Sequence, residues 1–288
     1  MTSPIVVGVH PTRQENEPVE LAVMLSCLTH APLEVVGTYW FDSTPARTAP
    51  RDFASRCMEG IREALEDRFD ASGACEDVGV TARPGSAAHV IHEVARHADA
   101  ALIVVGSTHR GPVGRVTLGS TTDRVLEGAP CPVAVAPRGF SDPGRLPARV
   151  GVAFADTREG HSALRAGARL ARHAGAALVA YTALDGGSAT AIREAQAALD
   201  SALWDHAGGI AAEGRVLSTG GVAALTEVSQ ELDFLVTGSR GHGPLRATML
   251  GGVSRRLARD ARCPLVVVPR GLDDALAGLF ARSAASPA

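Results

Sequence analysis

The sequence predicts an α/β protein made of two tandem doubly wound domains, each with a mostly parallel five-stranded sheet, the two sheets meeting through their last strands. Three observations point there. The segment Val104–Gly139, VVGSTHRGPVGRVTLGSTTDRVLEGAPCPVAVAPRG, recurs 132 residues later as Val236–Gly271, VTGSRGHGPLRATMLGGVSRRLARDARCPLVVVPRG. The pairs Gly106/Gly238, Gly111/Gly243, Pro112/Pro244, Gly119/Gly251, Cys131/Cys263 and Pro137/Pro269 keep the same register. Short aliphatic runs alternate with longer helical patterns along the chain, as parallel strands joined by right-handed helical crossovers require. Finally, 288 residues divide into two units close to the common domain size of about 100–150 residues.

Taken in order, Pro4–Val9 (PIVVGV) is a short, mostly β-branched run and reads as a buried strand. Pro18 suits a first helical turn, and Val19–Leu28 continues that helix with aliphatic residues throughout. Leu33–Tyr39 is the second strand; Met58, Ile61, Leu65 and Phe69 then fall at helical spacing over Arg51–Ala71. Asp77–Ala82 is a third strand, Ala87–His97 a helix, Ala100–Val105 a fourth strand, Ser120–Glu127 a helix and Pro132–Ala136 a fifth strand. The order then repeats. Arg149–Phe154, Ala177–Thr182, Gly214–Ser218, Phe234–Thr237 and the apolar run after Pro264 read as strands. Gly160–His173, Ala189–Ala207 and Ala223–Gln230 read as helices, the first of them stopped by Gly175. Each half is thus a doubly wound, Rossmann-like unit: residues 1–139, a linker over 140–148 rich in turn formers, residues 149–271, and a tail over 272–288. Asp273–Arg282 reads either as a short amphipathic helix or as a frayed end. The last strands, PVAVAPR and PLVVVPR, are too apolar to stand as open edges and are expected to cover each other across a pseudo-two-fold axis.

Composition excludes several function classes. A net charge of −3 supplies no global field for nucleic acid or anionic lipid. All 28 Lys-or-Arg residues are arginine, which removes Walker-type phosphate binding and Schiff-base chemistry, since both need a lysine amine. Five cysteines, odd in number and without a CxxC, make neither a disulfide scaffold nor a zinc module. No stretch approaches the ~20 apolar residues of a membrane span, and MTSPIVVGVH has no basic region before its short apolar run, so a cytoplasmic protein is expected.

The candidate site lies in the repeated glycine loops. They begin at the carboxyl end of the fourth strand of each half, where sheets of this kind bind ligands. Gly106 and Gly238 open the loops; Gly119-Ser120 and Gly251-Gly252 lead into a helix, whose free amides favour an anion. Hydroxyls of Ser120, Thr121, Thr122 and Ser254 are candidate phosphate donors, and Arg110, Arg115, Arg240 and Arg246 flank the loops. Tight strand-to-helix turns with ordinary solvated arginines explain the same residues without any ligand.

These loops, with the Cys-Pro-apolar strand behind them, resemble the universal stress protein family, whose ATP-binding members carry Gly-x2-Gly-x9-Gly-Ser/Thr after the fourth strand. The resemblance covers nearly the whole chain as two tandem copies. It implies a five-stranded parallel sheet per domain, dimerisation of domains through the fifth strands, and an adenine nucleotide, ATP with magnesium, as ligand. In the first copy Gly106, Gly119 and Ser120 fit, while His109 stands at the second glycine. In the second, Gly238, Gly241 and Gly251 fit, while Gly252 replaces the hydroxyl residue ahead of Val253 and Ser254. The aspartate that ATP-binding members place at the end of the first strand is replaced by His10 and Ala155, with Asp156 one position later and pointing differently. The second domain is therefore the better retained site.

No catalytic constellation emerges: there is no G-x-S-x-G elbow, and His92-Glu93 lacks the second histidine at metalloprotease spacing. His89, His92 and His97 read as a solvated helix face, and Cys131 and Cys263 as small core residues. No metal site is expected. The expectation is a cytoplasmic regulatory protein that binds an adenine nucleotide with little or no turnover, pairs its own domains and can form a homodimer, with no nucleic-acid or membrane partner. The alternatives are the same fold with decayed sites acting by dimerisation, and a slow ATPase.

Overall fold

The structure, a computed structural model, describes residues 2–10, 16–39, 55–56, 58–60, 63, 78–108, 112–141, 144–239 and 252–280. Ten strands form in the order expected: β1 Ile5–Val9, β2 Leu33–Tyr39, β3 Val78–Pro84, β4 Leu102–Gly106 and β5 Val133–Ala136 in the first half. The second half contributes β6 Arg149–Ala153, β7 Ala177–Ala183, β8 Ala212–Leu217, β9 Phe234–Gly238 and β10 Leu265–Val268. The helices are α1 Glu17–Thr29, α2 Ala87–His97, α3 Ser120–Leu126, α4 Arg158–Ala174, α5 Ala189–His206, α6 Gly221–Val228 and α7 Gly252–Asp260. Most of the helix expected over Arg51–Ala71 lies outside the described residues; Ser55, Arg56, Met58, Glu59, Gly60 and Glu63 are helical and exposed.

All ten strands join one sheet in the order β3-β2-β1-β4-β5-β10-β9-β6-β7-β8. Pairing is parallel within each half and antiparallel at one place, where β5 meets β10 through Val133↔Val267, Ala134↔Val266 and Val135↔Leu265. The apolar last strands thus satisfy each other's backbone edges directly. Ala134 and Val266 are equivalent in the repeat and opposite each other, so the pseudo-two-fold axis runs through that pair.

Alternation along the strands builds two cores. One face gathers Ile5, Leu25, Val104, Ala134, Leu164, Val236 and Val266 beneath α1 and α4. The other gathers Val6, Ile103, Val125, Val133, Leu235, Leu257 and Leu265 beneath α2, α3 and α7. Both cores run through both halves. Helix α1 is buried from Pro18 to Ser26 except at half-buried Glu20, the expected environment for a helix that is aliphatic on nearly every side.

Two readings of the sequence are corrected here. His92 does not sit on a solvated face: it is buried, and its Nε2 lies 2.8 Å from the Val125 carbonyl, tying α2 to α3. Only His89 and His97 are exposed. A lone histidine in a helix reads as polar, but its position among Val90, Ile91 and Val94 places it on the inner stripe. The tail is neither an amphipathic helix nor frayed through Phe280. It ends its described length in one 3₁₀ turn, Gly278–Phe280, with Leu279 1% and Phe280 7% exposed. Phe280 stacks on His173 of α4 at 4.1 Å, and the Ser3 amide donates to the Gly278 carbonyl at 3.1 Å. Arg158 reaches Asp273 in a two-point contact and Arg169 reaches Asp274, so the tail straps α4 to the start of β1. Cys131 and Cys263 are core residues; burial and nearby Asp99 push the Cys131 thiol up to about 12, and burial does the same more strongly at Cys263.

Leu279→Ala should therefore cost about 2–5 kcal/mol in denaturant unfolding, whereas Arg158→Ala, at an exposed ion pair, should leave the midpoint close to that of the unaltered chain. Burial lowers the His92 pKa from 6.5, outweighing its carbonyl contact, with Arg96 and His89 acting the same way. The unfolded chain then binds a proton near pH 6.5 that the folded chain refuses, so stability should fall as pH drops below that value. His92→Gln should flatten that slope in urea titrations at pH 7 and pH 5.

Candidate functional site

In the second half the strand order reverses between β9 and β6, and the carboxyl ends of these strands open a cleft of about 500 Å³. That volume lies within the range of sites for small molecules and cofactors, roughly 300–1,000 Å³. Its walls come from the ends of β6 (Ala153, Phe154, Ala155), β7 (Ala183, Asp185) and β9 (Thr237, Gly238). Three helix starts complete it: Glu159 and Gly160 of α4, Gly220 to Ala223 and Leu225 at α6, and Gly252, Val253, Ser254 and Arg256 of α7.

The three helix starts are not equivalent. Helix α4 is capped from within, since Thr157 Oγ1 accepts from the Gly160 amide at 3.2 Å. At α6 the Gly221 amide donates to the Leu184 carbonyl, and the turn needs two successive glycines, with φ 82 at Gly220 and 48 at Gly221. Helix α7 starts on Gly252, around which a Cβ would meet no atom of the described residues within 4 Å. Its first-turn amides have no partner within the helix, and Gly252, Val253 and Ser254 of that turn line the cleft, the position at which a helix start favours an anion.

The residues expected from sequence divide unevenly. Gly238, Gly252, Val253 and Ser254 line the cleft together; Arg240, Gly241 and Gly251 lie outside the described residues. In the first half Gly106 ends β4, Gly119 precedes α3, and Ser120 and Thr121 are exposed on its first turn, while His109 lies outside the described residues. Thr108 packs on Gly119, where a Cβ would stand 3.5 Å from the threonine's own Cβ.

The hydroxyls of Thr122 and Ser254 need correction. Both are buried, and both donate at hydrogen-bond distance to the strand-end glycine of their own half: Thr122 Oγ1 to the Gly106 carbonyl at 2.8 Å, Ser254 Oγ to the Gly238 carbonyl at 2.7 Å. Their protons tie helix to strand and are not directed to a ligand. Gly238 also has a packing reason to be glycine, because a Cβ there would lie 2.5 Å from the Glu159 carbonyl oxygen.

Two carboxylates and a guanidinium enter the cleft that the motif does not contain. Asp185 follows β7 and lies against the Gly221 turn; Glu159 pairs with Arg270 at 3.5 Å; Arg256 stands one turn into α7. Asp156 turns away instead, to His161 Nε2 at 3.0 Å, and His161 contacts His206 through its other nitrogen. A rule that places loop and turn residues after each strand of the sheet, beyond the fourth alone, would have found Asp185.

Fold and cleft together define a tandem α/β protein with a cleft at the switch point of one half. The sequence model of the universal stress protein family matches residues 1–137 and 148–269, and the chain belongs to that family. A universal stress protein of Mycobacterium tuberculosis (strain H37Rv) is 30% identical over 182 residues, covering 59% of this chain. The matched region spans 62% of that relative, and of its Mycobacterium bovis counterpart. Among solved structures, a universal stress protein from Archaeoglobus fulgidus aligns at TM-score 0.70 and 18% identity, covering 94% of this chain and 100% of its own. A protein of unknown function from Pseudomonas aeruginosa PAO1 aligns at TM-score 0.67 and 17% identity, over 97% of this chain and 96% of its own. At those identities the likeness is one of fold. No helix among the described residues is long and apolar enough to cross a membrane.

Ser254→Ala should remove the shorter of two hydroxyl donors to the Gly238 carbonyl, leaving the 3.4 Å contact from Thr237 Oγ1, and cost about 0.5–1.5 kcal/mol, read by urea unfolding. Ser120→Ala, on an exposed first turn, should cost far less.

Proposed function

We propose that the chain is a stress-response regulatory protein that binds an adenine nucleotide, ATP entering with its magnesium, in the cleft of the second half, with little or no turnover. The observation that carries this reading is the first turn of α7, whose Gly252, Val253 and Ser254 line a cleft of about 500 Å³ at the switch point of the sheet. The residues present fit such a ligand. The first-turn amides of α7 and the Arg256 guanidinium would hold the phosphates, with Gly252 leaving room for close backbone approach. Phe154, Ala183 and Leu225 supply an apolar wall for a base, and Asp185 an acceptor for nucleoside donors. Asp185 would then do the work of the aspartate missing after β6. Glu159, engaged by Arg270, is a poor general base, which supports binding without hydrolysis.

For the first half, the alternative of a site given over to the fold has more support. Thr108 covers Gly119, Thr122 is tied to Gly106, and α3 has seven residues against nine in α7. The fifth strands already pair within the chain, so a homodimer of chains closed in this way would need another surface.

Purified protein, denatured, should release an adenine nucleotide, and calorimetric titration of emptied protein with ATP and magnesium should give one site per chain. Val253→Asp, which brings a negative charge to the α7 start, should abolish that binding. Ser120→Asp, at the corresponding end of the first half, should leave it unchanged. No binding at millimolar ATP would sink the proposal, and loss confined to Ser120→Asp would move the site to the other domain.

A further inference from the structure

Repeat-equivalent positions meet across the β5–β10 seam, and they carry opposite charges. Position 123 corresponds to 255 and position 127 to 259; the first half has Asp123 and Glu127, the second Arg255 and Arg259. Arg255 Nη2 lies 3.4 Å from Glu127 Oε1 and 3.8 Å from Asp123 Oδ1. A side chain that touches its own counterpart stands beside the pseudo-two-fold axis, so Arg255 and Asp123 flank that axis on the α3–α7 side. Asp123 Oδ1 and Arg255 Nε are buried atoms without hydrogen-bond partners among the described residues, which leaves each charge dependent on the other side of the seam.

The strands show the same asymmetry in volume. On the axis itself Ala134 opposes Val266, at 0% and 2% exposure, and the next inward position of the same face is Ala136 in β5 and Val268 in β10. One strand is small where the other is large.

We propose that this seam is selective for unlike domains: the first domain accepts a second domain, from its own chain or from another copy, and rejects a first domain, and the second behaves correspondingly. Pairing of like domains would set Asp123 against Asp123 with Glu127 beside it, or Arg255 against Arg255, close to the axis and partly shielded from solvent. It would also leave a gap between two Ala134 side chains or crowd two Val266 side chains, and both faults are costly in a dense core. Any larger assembly through this seam must therefore exchange unlike domains between chains. The inference does not rest on nucleotide binding.

Three full-length variants test it. Asp123→Arg with Glu127→Arg makes both sides of the seam basic, Arg255→Glu makes both acidic, and a third chain carries all three changes. Each one-sided chain should lose about 2–4 °C or more from its thermal midpoint and no longer show the unaltered chain's mass in light scattering. Refolded together one to one, the two should form a dimer with exchanged domains and regain the midpoint. The chain with all three changes should match the unaltered protein by itself. One-sided chains with an unaltered midpoint, a mixture that behaves as the sum of its parts, or a triply changed chain no better than a one-sided one would each overturn the proposal. Should the one-sided chains aggregate, the triply changed chain decides: an unaltered midpoint sustains the proposal and aggregation overturns it.

Discussion

The antiparallel pairing of β5 with β10 is the constraint on which the rest of the molecule depends. Each half alone would present an apolar edge, VAVA or LVVV, with a row of unpaired backbone groups. Three residue pairs close both edges at once and turn two five-stranded sheets into one. With the strands fixed side by side, the cores on both faces become continuous, α1 comes against α4, and Arg255 of α7 reaches Asp123 of α3 and Glu127 just after it. The positions of the helices, and hence of the cleft in the second half, follow from that closure.

Glycines of the repeated motif serve packing before they serve any ligand. Gly238 lies where the first turn of α4 crosses the end of β9, and Pro18 of α1 crosses Gly106 in the corresponding place. The hydroxyl of Ser254 or Thr122 then closes the helix back onto that glycine's carbonyl. Strand end, crossing helix and returning helix are thus locked by two small residues. What the second half adds, among the described residues, is the cleft of about 500 Å³ lined by Gly252, a feature of tertiary arrangement more than of motif.

The fold was legible because it is written twice, and because strand and helix periods alternate without ambiguity through both copies. Sequence reasoning also reached the seam, since edges as apolar as those of β5 and β10 have few alternatives to mutual cover. It missed the direction of hydrogen bonds: a serine or threonine at a helix start reads equally as ligand donor and as helix-to-strand tie, and burial decides between them. It missed Asp185 because that residue follows β7, far in sequence from the glycine loop, and only sheet order brings it to the same wall. His92 was misread because a polar residue inside an apolar stripe looks solvated until Val125 supplies its acceptor.

The strap formed by residues 272–280 has a consequence for how the two halves share their fate. Leu279 and Phe280 follow the second repeat in sequence, yet their turn touches Ser3 and Ala101 of the first. Together with the seam, it makes each copy part of the other's interior. A duplicated protein of this kind loses the modularity its sequence suggests, since neither copy holds a complete core by itself. One copy can then lose its ligand chemistry altogether and still be retained, because the other copy requires its edge.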